Sequence, residues 1–279
     1  MSAVKTIDLT PYSDAAPAKP VHLLFIHHST GGQLLAEKGP DVGKDCIYQT
    51  QPNGGGLRLL LEKNNYIVHE ASYNSLIGDK TDICHWNTKF RDHMDSILSS
   101  GNQDERLPEN TRNRIILFKS CYPNNNIVAD GTYPGDPDSC EKITANYEAA
   151  YRALLGYFEK HPETLFVVLT APPLVMPKNT IADKIKVLLK REDTVEKIGK
   201  RARRFNNWLK DVDKGWLHDY TLNNVVVFDY YDVLTDNGQS NWSRYPSGEK
   251  DSHPNNEGNM KAAQAFIPFI NRAVHRMGL

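Results

Sequence analysis

A hydroxyl, an imidazole and a carboxylate stand near opposite ends of this 279-residue chain. Phe25-Ile26-His27-His28-Ser29-Thr30-Gly31-Gly32 lies near the start, and Asp251-Ser252-His253-Pro254-Asn255 near the finish. A serine hydroxyl is a weak nucleophile until a histidine takes its proton and a carboxylate orients that histidine. Val21 to Ile26 reads as a buried strand running into a Ser-Thr-Gly-Gly turn, which leaves Ser29 on a sharp bend where a helix can begin. Pro254 pushes His253 out of helical geometry, with an acid two residues before it. Taken alone, Ser29 reads as a helix cap, His253 as a surface residue before a proline and Asn124 to Asn126 as a loop.

The elements that must position these residues follow from the apolar runs. Five short ones, Val21 to Ile26, Tyr66 to Ala71, Arg114 to Phe118, Leu165 to Thr170 and Val225 to Asp229, read as strands covered on both faces. Helical candidates lie between and after them at Gly55 to Lys63, Lys89 to Ser99, Ala145 to Lys160, 181–214 and Asn259 to Arg276. That alternation is the pattern of a parallel sheet flanked by helices. In such a sheet the ligand crevice lies beyond the carboxyl ends of the strands, and each polar cluster of interest follows a strand end. Residues 1–20 read as an extended arm and 21–279 as a single domain, because no low-complexity linker interrupts the middle.

Composition narrows the function. With 39% hydrophobic residues the chain can bury a sizeable core, and a net charge of −1 gives no basic face for nucleic acid. No apolar run approaches the roughly 20 residues of a membrane span. No apolar signal core stands at the N-terminus as given, so the expectation is a cytoplasmic protein, or an extracytoplasmic one whose signal has been removed. Four cysteines, Cys46, Cys84, Cys121 and Cys140, lack the paired spacing of a zinc site and read as buried, with a Cys121–Cys140 bridge the pairing considered.

In their order these blocks resemble the SGNH (GDSL-like) hydrolase superfamily, which carries a serine after the first strand, a glycine after the second, an asparagine after the third and Asp-x-x-His near the C-terminus. Asn74-Ser75-Leu76-Ile77-Gly78-Asp79-Lys80-Thr81 is similar to the family's Asn-x-x-x-Gly-Asp-x-Thr, and Leu165 to Pro173 to its fourth strand and Pro-Pro end. Two blocks depart from the pattern. His27-His28 replaces Gly-Asp before the serine, and Asp251-x-His253 is one residue short, leaving Glu249, Asp232 or a backbone carbonyl as other partners for the imidazole. Lys119-Ser120-Cys121-Tyr122-Pro123-Asn124-Asn125-Asn126 replaces Gly-x-Asn-Asp, with Asn124 first choice among its asparagines.

The resemblance implies a three-layer α/β/α sandwich with a five-stranded, mostly parallel, flavodoxin-like sheet. It implies a serine esterase with a Ser29-His253-Asp251 triad and an oxyanion hole of Ser29, Gly78 and Asn124. Small acyl esters are the expected substrates, an O-acetyl group on a carbohydrate among them, with Trp242 and Tyr245 as rings that stack on a sugar. No cofactor is expected and no metal, since adjacent His27 and His28 in an extended segment point to opposite faces. The oligomeric state is open. A lipase, thioesterase or acyltransferase would use the same residues, and a catalytically silent ligand-binding relative is the alternative of another class. The acidic loop Asp130 to Asp138 reads as solvated rather than calcium-binding. The basic stretch Lys178 to Lys214 reads as a solvated helix face, with a lid that steers an anionic substrate as its alternative.

Overall fold

Five all-apolar or nearly apolar strands form the centre of the molecule, a computed structural model describing residues 4–177 and 195–279. In chain order the elements are β1 (Val21–Ile26), α1 (Ser29–Leu35), β2 (Glu37–Lys38), β3 (Val42–Lys44), β4 (Ile47–Gln51), α2 (Leu57–Glu62), β5 (Tyr66–Ala71) and α3 (Ile83–Ser99). There follow β6 (Ile115–Phe118), a 3-10 turn (Tyr122–Asn125), α4 (Thr144–Phe158), β7 (Leu165–Leu169), α5 (Val195–Lys210), β8 (Val225–Phe228) and α6 (Tyr230–Leu234). The hairpin of β9 (Pro246–Gly248) and β10 (Asp251–Pro254) leads into α7 (Asn256–Met277). The sheet order is β5-β1-β6-β7-β8 with every pairing parallel. Renumbered within the sheet that is 2-1-3-4-5, the doubly wound flavodoxin-like order.

Alternate residues of the strands feed two cores, as a period of two requires. Leu24, Ile26, Ile116, Phe118 and Val168 face α3, α4 and α5. Leu23, Phe25, Leu117, Val167 and Phe228 face α1, α2, α6 and α7. The result is three layers, α/β/α. Residues 4–20 carry no helix or strand, yet they are tied down: the Val212 N–H donates to the Lys5 carbonyl and the Asn271 amide to the Asp14 carbonyl, each at 2.8 Å. Among the described residues no helix is long and apolar enough to cross a membrane.

Four local readings are revised. The disulfide joins Cys84 to Cys140, not Cys121 to Cys140, and Cys121 is a free thiol. His253 lies in the β9–β10 ladder instead of an irregular loop. Residues 37–51 form a small three-stranded sheet that their mostly polar composition did not announce. Helix α3 starts at Ile83, six residues before the expected Lys89. The first part of the helix expected over 181–214 lies outside the described residues.

Lys89 accounts for the early start of α3. Its side chain is buried rather than at a helix start, and its ammonium donates to the carbonyls of Ile77 and, at 2.6 Å, Asp79. It thus clips the loop after β5 onto α3. Burial draws its pKa from 10.5 down to about 8, against the attraction of Asp79. Between those values the unfolded chain holds a proton that the folded one has lost, so stability from this group rises with pH through that window. The rise is at most on the order of 3 kcal/mol. Denaturant unfolding of Lys89→Met between about pH 7.5 and 9.5 is expected to show a flatter profile than the native chain. An equally steep climb would contradict this account of Lys89.

Candidate active site

The doubly wound order fixes where a site can form. Its strand order reverses between β1 and β6, and the loops leaving their carboxyl ends separate there to open a crevice. Ser29 follows β1 and Cys121 follows β6, and their side chains meet with Oγ and Sγ 3.8 Å apart. Ladder bonds run one residue past the strands, from the His27 N–H to the Ala71 carbonyl at 3.0 Å and from the Lys119 N–H to the Ile26 carbonyl at 3.3 Å.

The turn at Ser29 is held from below. His27 is fully buried, with Nε2 2.9 Å from Glu70 Oε2 and Nδ1 3.0 Å from the His28 carbonyl. Arg58 pairs with the other oxygen of Glu70. Glycine is needed at 31 because a Cβ there would overlap the His27 ring, so the histidine and the glycine are one packing unit. Ser29 opens α1 after His28 as N-cap. His28 turns the other way: its ring stacks on Tyr73 at 3.7 Å and 26°, and Nε2 lies 3.0 Å from the Gly78 carbonyl. Burial pushes its pKa down to about 4, against the hydrogen bond to Gly78, so the ring is neutral and donates Nε2–H to that carbonyl.

From the other end of the chain, β10 brings in His253 and Asp251. His253 Nε2 lies 3.0 Å from Ser29 Oγ, and Nδ1 lies 2.6 Å from Asp251 Oδ1. The two-residue spacing suffices because residues i and i+2 of a strand share a face. The same Asp251 oxygen accepts the His253 backbone N–H at 3.0 Å, which fixes the carboxylate as well as the ring. Partial burial raises the Asp251 carboxyl, but both hydrogen bonds from His253 oppose it and the net shift is downward, so the acid stays ionised near neutral pH. Asp232, one of the two other acids considered with Glu249, is taken up by Arg203 and Lys210. Tyr122 meets the His253 ring edge-on at 4.9 Å and 79°.

The residues expected to bind an oxyanion sit differently. The Gly78 N–H donates to Ser75 Oγ at 2.7 Å, and a Cβ at 78 would collide with the Ser72 backbone. Its glycine serves a close approach of two loop strands. Asn124 is buried, its amide donating to Asp82 Oδ1 at 2.7 Å and to the Cys121 carbonyl at 3.2 Å while its oxygen accepts from the Ile83 N–H at 3.0 Å. Asn125 donates to the carbonyls of Ala171 and Pro172, and Asn126 is exposed. Trp242 packs against Gly199 of α5; Tyr245 packs against Gly258 of α7 and carries the Lys261 ammonium 5.0 Å over its ring.

Sequence reasoning missed Tyr73, Cys121 and Lys119. Lys119 is fully buried at the end of an apolar strand, donating to Thr30 Oγ1 with Cys121 Sγ 3.7 Å away. Burial raises the Cys121 thiol, but the Lys119 charge and hydrogen bonds from Thr30 outweigh it and hold the pKa below its ordinary value. A lysine closing the run Ile115-Ile116-Leu117-Phe118 was the signal available, since a charge at a buried strand end needs a partner. For a metal, the cluster with ligand spacing among the described residues is Cys84, His85 and Cys140, two of which are joined in the disulfide. His27 and His28 face opposite partners, as above.

No family model and no curated protein sequence matches the chain. Among solved structures it is similar to a catalytic mutant of an acetylxylan esterase from Geobacillus stearothermophilus, at 13% identity and TM-score 0.44 over 95% of this chain and 97% of that one. It is also similar to a carbohydrate esterase family 2 enzyme with a carbohydrate-binding domain from Corynascus thermopiles (Myceliophthora fergusii), at 14% and 0.42 over 95% and 68%. A third is a family two carbohydrate esterase from Cellvibrio japonicus, at 14% and 0.40 over 94% and 63%. At these values the likeness adds nothing to the site's own geometry.

Proposed function

We propose that this protein is a serine-dependent hydrolase of carboxylic esters with small acyl groups, with Ser29 as nucleophile, His253 as general base and acid, and Asp251 as the orienting carboxylate. The observation that carries the reading is the unbroken line of hydrogen bonds from Ser29 Oγ through both ring nitrogens of His253 to Asp251, at 3.0 and 2.6 Å. A helix cap or a surface histidine has no need of the second bond.

The chemistry follows from that line. As Ser29 Oγ bonds to the acyl carbon, its proton passes to His253 Nε2 and the carbonyl π pair moves onto oxygen. The pair then returns, the ester C–O bond breaks, and His253 gives its proton to the departing alkoxide. Water repeats the sequence to free the acid. Asp251 accepts from Nδ1–H throughout and is placed to stabilise the imidazolium. Triad members come from both ends of the chain, which favours treating 21–279 as one catalytic domain.

Crowding supports the small acyl group: Cys121 touches Ser29, Tyr122 flanks His253, and Tyr73 closes the side of His28. An O-acetyl group on a carbohydrate is the narrower form of the proposal. Trp242 and Tyr245, the rings that suggest it in the sequence, are engaged in packing, so it rests on the acyl side alone.

Ser29→Ala is expected to reduce hydrolysis of an activated acetyl ester to background with an unchanged melting temperature; a fully active variant would sink the proposal. Asp251→Asn should cost about 1,000- to 10,000-fold in kcat, because an amide cannot hold the ring in the right tautomer. Near-normal turnover of that variant would mean a Ser29-His253 dyad or a borrowed acid. Prolonged chelation should leave the rate untouched, whereas loss of activity restored by zinc or manganese would favour a metal mechanism.

A further inference from the structure

An oxyanion at Ser29 needs fixed donors, and most of those nearby are already committed. The Gly78 N–H is spent on Ser75 Oγ and the Asn124 amide on Asp82 and the Cys121 carbonyl. Two further groups stand at the nucleophile, its own backbone N–H and the phenol of Tyr73. Parallel register explains the phenol's presence. Ile26 pairs with Ala71 across β1 and β5, so the residue two beyond each strand, His28 and Tyr73, arrive side by side and stack.

We propose that Tyr73 is a catalytic residue, its hydroxyl donating a hydrogen bond to the oxyanion that forms on attack by Ser29. The inference rests on the serine-hydrolase reading above and adds to it the donor that the sequence blocks do not supply.

Three restraints hold the phenol in place. Gln103 grips the backbone on both sides, its oxygen accepting the Ser72 N–H and its amide donating to the Tyr73 carbonyl, each at 2.9 Å. His28 covers the ring and is itself pinned to the Gly78 carbonyl. At the far end the hydroxyl lies beside the backbone N–H and the hydroxyl of Ser29. In the free protein the Ser29 hydroxyl donates to His253, so only the backbone N–H is directed at the phenol oxygen, and an incoming carbonyl oxygen takes that N–H while the phenol presents its own proton. Burial pushes the phenol pKa up to about 12, so it remains a donor through neutral and alkaline pH. Tyr73 keeps its proton throughout; it stabilises the alkoxide while His253 carries the transferred proton. The same geometry gives the His27-His28 pair and Gly78 a use: the first histidine supports the serine turn, and the second, held by the Gly78 carbonyl, aims the tyrosine.

Tyr73→Phe removes the hydroxyl and preserves the stack. On an activated acetyl ester it is expected to lower kcat about 100- to 1,000-fold, the usual effect of deleting one oxyanion donor, with KM little changed. Affinity for a small boronic acid, which forms a tetrahedral adduct on serine, should fall by a similar factor, a linkage that loose packing alone would not produce. Loss of kcat with undiminished boronate affinity would overturn the proposal. So would near-native kcat in Tyr73→Phe while Ser29→Ala is inactive, a result that spares the serine mechanism. An active Ser29→Ala would overturn that mechanism and the role of Tyr73 with it.

Discussion

The backbone ladder that holds β1 between β5 and β6 decides where each residue of the candidate site starts. Ile26 is in register with Ala71 on one side and Phe118 on the other. Three loops therefore leave the sheet at one level, carrying Ser29, Tyr73 and Cys121. A slip of one residue in either pairing would turn each of those side chains to the opposite face. The near-complete burial of β1 and β6 is what makes such a slip costly. The β9–β10 hairpin then has one task, to present Asp251 and His253 on a shared face above the first loop.

Beneath that edge the protein buries charge, which is expensive unless each group is paired and hydrogen-bonded. Glu70 holds His27 and Arg58; Lys119 holds Thr30 and stands beside the thiol of Cys121. Both clusters lock segments on either side of Ser29, His27 from before it and Thr30 from after it. The His27-His28 pair before the serine is thus part of what supports the turn. The cost of ordering polar groups in the interior is met where pre-organisation matters most to an attacking hydroxyl.

Much of this was legible in the sequence, for identifiable reasons. All five strands fall within one residue of their expected limits, because strands covered on both faces read as unbroken apolar runs between turn residues. The parallel sheet followed from their alternation with helices. The two-residue step from Asp251 to His253 looked like a contraction of the family spacing; in an extended strand it is the spacing that puts both side chains on one face. What stayed hidden depends on contacts between loops. Gly78 and Asn124 matched a pattern, but a hydrogen-bond donor can be aimed at a substrate or at Ser75 and Asp82, and only folding decides which. Tyr73 carried no motif, and its place beside His28 depends on strand register. The short strands at 37–51 are mostly polar and exposed, so they lack the alternation by which strands are read.

The central claim is that Ser29 is a nucleophile activated by His253. Incubation with a fluorophosphonate followed by peptide mass spectrometry tests this without knowledge of the substrate, because the probe needs only an activated hydroxyl. The account predicts a single stoichiometric adduct on the peptide containing Ser29, absent when His253 is replaced by alanine. No adduct on native protein, or an adduct on another residue, would contradict it.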